Sequence, residues 1–96
     1  MTADKIAALI ASETRVVCDV DAGPIGFVVY ASTPAEVARA TRWVAKFLAR
    51  VGIASATESP VAEPDEPEET RWVAAVAFDW NDVPRSASAA DVKAVA

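Results

Sequence analysis

Residues Pro60 to Glu69 read PVAEPDEPEE, and no other stretch restricts the fold as much. Five carboxylates (Glu63, Asp65, Glu66, Glu68 and Glu69) alternate with prolines at positions 60, 64 and 67. A helix is excluded, because Pro64 and Pro67 fall inside the stretch and each pushes the preceding residue out of helical geometry. A buried strand is excluded as well, since proline removes a ladder donor and clustered like charges resist desolvation. Residues 60–69 are therefore expected to be a solvated, acidic, semi-extended loop between two apolar halves of one domain, 1–96.

The half before the loop opens with Ile6, Leu9 and Ile10 at helical spacing. With Thr2 as cap and Asp4 near the positive end, that spacing predicts an amphipathic helix over Thr2–Ser12. Arg15 to Val20 alternates, with Val16, Cys18 and Val20 on one side, and predicts a strand. Asp21-Ala22-Gly23-Pro24 has turn composition. Ile25 to Ala31 predicts a second strand, with Ile25, Phe27 and Val29 facing inward and the short connection making an antiparallel hairpin. Thr33-Pro34-Ala35-Glu36 is a capping box with proline at the first helical position. It starts a helix expected to run to about Val51, with Gly52 as a left-handed stop.

Beyond that helix, Ile53–Ser59 is a weak strand candidate. Thr70–Trp80 is a strong one, with Trp72, Ala74, Val76, Phe78 and Trp80 sharing a face, and Asn81-Asp82 ends it. Pro84–Ser86 reads as loop, Ser88–Asp91 as the cap of a short terminal helix, and 86–96 as a frayed tail. The order α-β-β-α-β-β-α predicts an α+β fold. It is expected to be a small two-layer sandwich with a mostly antiparallel sheet of about four strands. One long helix packs on the face carrying Phe27, Trp72, Phe78 and Trp80.

Composition narrows the chemistry. The chain is 53% hydrophobic, enough for a small core, and carries a net charge of −5. Having no histidine and a single cysteine, Cys18, it offers no intrachain disulfide and none of the usual zinc ligand sets. A lone cysteine, no signal-like start and no membrane-length apolar run fit a cytoplasmic location and no membrane partner. Cys18, facing inward, reads as a small buried hydrophobe. Gly23, Gly26 and Gly52 are too scattered for a phosphate-cradling loop, so no cofactor is expected. The acidic stretch lacks the glycine and ligand spacing of a calcium loop. Asp79 and Asp82 could pair for acid–base work, but no nucleophile, histidine or metal cluster accompanies them, and no enzyme is expected.

Two charged surfaces remain. On a helical wheel Val37, Val44, Phe47, Leu48 and Val51 form the core stripe of the capped helix. Arg39, Arg42, Lys46 and Arg50 form a ridge on the opposite side, four of the chain's nine cations with no acid among them. At about 1.5 Å per residue the ridge is about 16 Å long. It reads as a solvated helix face, as a surface masked by the acidic loop, or as a row for phosphates with Trp43 at its edge. The acids read as a solubilising tip or as a dock for a basic protein partner.

Absent a catalytic set, the expected function is that of a non-enzymatic protein-binding module, an inhibitor or adaptor acting on a larger complex. Small, acidic, histidine-free inhibitors made by phages and mobile elements, such as anti-CRISPR proteins, are alike in general composition, though no motif here matches theirs. The alternatives are a self-assembling subunit and a nucleic-acid-contacting accessory. Assembly would use an open sheet edge or the Ala75–Ala77 face, which either the first helix or a second copy, in a homodimer, would have to cover.

Overall fold

The computed structural model describes residues 2–66 and 69–83, and of 64–66 and 69–70 the backbone alone. The elements are α1 (Ala3–Thr14), β1 (Asp19–Gly23), β2 (Gly26–Ala31), α2 (Pro34–Arg50), β3 (Ala56–Thr57), β4 (Val61–Glu66) and β5 (Glu69–Ala77), followed by a 3-10 turn at Trp80–Asp82. Both helices cover one face of an antiparallel sheet, the α+β two-layer arrangement expected. The sheet has five strands rather than about four. It is nevertheless four strands wide, because β3 and β4 are successive pieces of one edge beside β5. α2 is not long: its 17 residues make just under about five turns. The proposed terminal helix at Ser88–Asp91 and the tail lie outside the described residues.

The acidic stretch is the main correction, for Val61–Glu66 is a strand and not a loop. Backbone groups on an antiparallel strand point alternately to its two edges. Phe78 N–H donates to Ile25 O at 2.9 Å, so even-numbered residues of β5 face β2. Glu58 N–H donates to Ala75 O at 3.0 Å, so the odd-numbered ones face the β3–β4 edge. Val61 and Glu63, opposite Val73 and Arg71, therefore make the rungs. Pro64, opposite Thr70, turns its nitrogen outward, where a missing N–H breaks no bond to β5. Proline excludes a central strand but not this edge.

Between β3 and β4 the register slips. Thr57 faces Val76 and Val61 faces Val73, so residues 58–60 stand opposite Ala74 and Ala75. That is a β-bulge, which divides the edge in two.

The first hairpin is shifted relative to its expected place. α1 runs on to Thr14, and Arg15 closes it in the left-handed region at φ 61°. Pairing begins at Asp19 and continues through Gly23 opposite Gly26, so Pro24 and Ile25 alone form the turn. Ile25 is thus at the tip, 58% exposed, and not on the inner face. Gly26 has φ 149°, and a Cβ there would run into the carbonyl of Val76.

Phe27, Val29 and Val76 from the sheet meet Ile6, Leu9 and Ile10 of α1 and Val44, Phe47 and Leu48 of α2 in the main core. Phe27, Phe78 and Trp80 form an aromatic trio with centroids 4.7 to 5.3 Å apart. Trp80 Nε1 donates to Gly23 O at 2.8 Å, tying the end of β5 to the hairpin. α1 lies in the same layer as α2, so it does not cover the face of Ala75 and Ala77. Among the described residues no helix lies over that face. Val28, Tyr30 and Val73 share it, because each stands directly opposite a residue of the same face in the register.

Candidate functional site

α2 is built to hold its charged side outward. Thr33 is extended at φ −133°, and its Oγ1 accepts from Glu36 N–H at 3.2 Å. The same hydroxyl donates to Glu36 Oε1 at 2.9 Å, so Thr33 is the N-cap expected, with Glu36 held through the Thr33 hydroxyl and not through its backbone N–H. Val37, Ala40, Thr41, Val44, Phe47 and Leu48 are buried against the sheet and α1. Thr41 satisfies its hydroxyl by donating to Ala38 O at 3.1 Å. Gly52, at φ 84°, provides the expected stop.

Arg39, Arg42, Lys46 and Arg50 are all exposed on the opposite side of α2. None forms an ion pair with a described residue. Trp43 stands between them and the core, half-buried, with its ring stacked on Phe47 at 5.6 Å and 3°. It divides two grooves. One, of about 220 Å³, is lined by Thr14, Arg39, Arg42, Trp43 and Lys46. The other, of about 230 Å³, is lined by Glu13, Trp43, Lys46, Phe47 and Arg50. Thr14 is fixed in the wall of the first because its Oγ1 donates to Ile10 O at 2.7 Å and accepts from Val16 N–H at 3.3 Å.

The acidic residues are elsewhere. Glu63 faces Arg71 across the β4–β5 pair. The backbones of Asp65 and Glu66 lie in β4, that of Glu69 opens β5, and Glu68 lies outside the described residues. Arg71 stacks over the Tyr30 ring at 4.7 Å and reaches Asp19 at 4.0 Å. The acidic stretch is therefore drawn into the sheet by β5, whereas the ridge sits on the side of α2 turned from the sheet. The helical repeat in the sequence located the four cations. Nothing in it announced Glu13 and Thr14, which reach the site through the packing of α1 on α2.

Two further candidates have structural roles. Asp79 Oδ1 accepts from Asn81 N–H at 2.8 Å and caps the 3-10 turn. Cys18 is half-buried, against the expectation of full burial, and burial, followed by the charges of Asp19 and Glu36, raises its thiol pKa. Among the described residues no group of three or more histidines, cysteines or carboxylates is placed to hold a metal ion, and no helix is long and apolar enough to cross a membrane. No family model, curated protein or solved structure matches the chain.

Proposed function

We propose that the chain is a non-enzymatic binding module, of the inhibitor or adaptor kind, that docks onto an anionic macromolecular surface through the outer side of α2. One observation carries this reading: four exposed cations stand in a row with no ion pair to any described residue. In a chain of net charge −5, cations scattered at random would meet acids. Segregation of charge raises the local potential even when the total is negative. At about 0.1 M salt a charge is screened within about 10 Å, so the ridge acts on what touches it.

The acids support the same reading from the other side. Asp19 and Asp21 lie on β1 and Glu63 on β4, the two outer strands of the sheet. Carboxylates and an outward-turned proline on edge strands discourage pairing with a second copy, so assembly through a sheet edge loses support. Docking of a basic protein on these acids remains the second reading, favoured by their presence at both edges. It predicts that Glu63→Lys weakens capture of a cationic protein.

Heparin affinity chromatography tests the principal reading. The protein should be retained at low salt despite its net charge and elute as salt rises. Arg42→Gln with Lys46→Gln should flow through, and Glu63→Gln should be retained at least as well as the parent. Flow-through of the parent protein at low salt would contradict the proposal.

A further inference from the structure

The arrangement around Trp43 specifies more than a generic polyanion site. We infer that the Trp43 groove is a site for single-stranded nucleic acid, in which an unpaired base stacks on Trp43 while Arg39, Arg42 and Lys46 hold the neighbouring phosphates. This rests on the outer side of α2 being the binding face.

Trp43 is held by a stacked neighbour and borders a cationic groove. Phe47 occupies one side of the indole in parallel stacking and fixes its plane. The groove bordered by Arg39, Arg42 and Lys46 is lined by Trp43 and not by Phe47. An aromatic face presented beside three cations is the combination that recognises a nucleotide within a strand. The base has a π-face of its own, and the backbone supplies a charge at each residue. A protein carboxylate surface would use the cations but leave the indole without a role. A duplex would offer phosphates but keep its bases stacked on one another. The ridge extends past the groove to Arg50, about 16 Å from Arg39 along the helix, which suits a strand better than a single nucleotide.

Fluorescein-labelled oligothymidylate tests the site, with affinity read by anisotropy and base contact by tryptophan emission. Binding at low salt should weaken with a log–log salt slope of about −2 to −3, as three or four phosphate contacts require. Emission should be quenched by the single strand and unchanged by the same strand annealed to its complement. Arg42→Gln with Lys46→Gln, both on exposed positions, should weaken binding by about tenfold or more. Trp43→Phe keeps an aromatic ring in place. It should still bind, but the quench should vanish because Trp72 and Trp80 lie elsewhere.

A quench that persists in Trp43→Phe would overturn the inference. So would affinity for inorganic polyphosphate or polyglutamate equal to or above that for oligothymidylate. Failure to bind oligothymidylate by a protein that heparin retains would end the nucleic-acid inference and leave the binding face standing. Failure on both would end both.

Discussion

The outer side of α2 and the edge strand β4 both carry charged residues, yet they are held in different ways. α2 is anchored by six buried side chains and closed at its start by the Thr33 N-cap. Its cations inherit a rigid support. β4 is held by backbone pairing along one edge to β5, and its hydrophobic residue Val61 is 62% exposed. The difference separates a charged surface that can be a site from one that suits a guard. A binding face needs side chains fixed before the ligand arrives, because ordering them later costs affinity. An edge guard needs only to be charged and in the way.

The largest effect that should separate the two regions is on stability. Leu48→Ala, at a fully buried position of α2, is expected to cost about 2–5 kcal/mol, whereas Val61→Ala on β4 should cost under about 0.5 kcal/mol. Urea titration of both variants measures this, and equal losses would remove the contrast. Next comes the helix start. Thr33→Ala should lower stability by about 1 kcal/mol, because it removes the acceptor for Glu36 N–H. Smaller still is the change for Arg42→Gln with Lys46→Gln, within about 0.5 kcal/mol by the same titration, since neither side chain has an ionic partner among the described residues. A larger loss would make the ridge a structural device and not a free surface.

The smallest expected effect lies at Cys18, which packs against the main core and against the small group of Ala31, Val37 and Ala74. Burial favours the neutral thiol, so the folded protein should react with a disulfide reagent more slowly at mildly alkaline pH than the urea-unfolded chain does. The folded thiol pKa is raised, so its contribution to stability is intact below the ordinary thiol range and is lost as pH climbs from there through the raised folded value. A folded thiol as reactive as the unfolded one would mean that the layer around Cys18 opens readily.

Local signals in the sequence were enough for some of this architecture. Thr33, Pro34 and Glu36 marked the start of α2, and the periodicity of Val37, Val44 and Leu48 assigned its buried side. The four cations followed from the same repeat. What the sequence could not disclose depends on long-range pairing. Pro64 reads as a strand breaker until its nitrogen is known to face away from β5. Ile25 reads as a core residue until the hairpin is known to turn at Pro24-Ile25 instead of over Asp21–Pro24. Glu13 and Thr14 lie beyond the helix expected to end at Ser12, and only the packing of α1 on α2 makes them walls of the grooves beside Trp43.

The most direct test of α2 as the binding face is an amide chemical-shift map recorded while a short heparin oligosaccharide is titrated into the labelled protein. Shifts should be confined to residues 39–50 of α2 and to Glu13, Thr14 and Arg15, with β4 and β5 unmoved. Shifts centred on residues 61–73, with α2 silent, would contradict it.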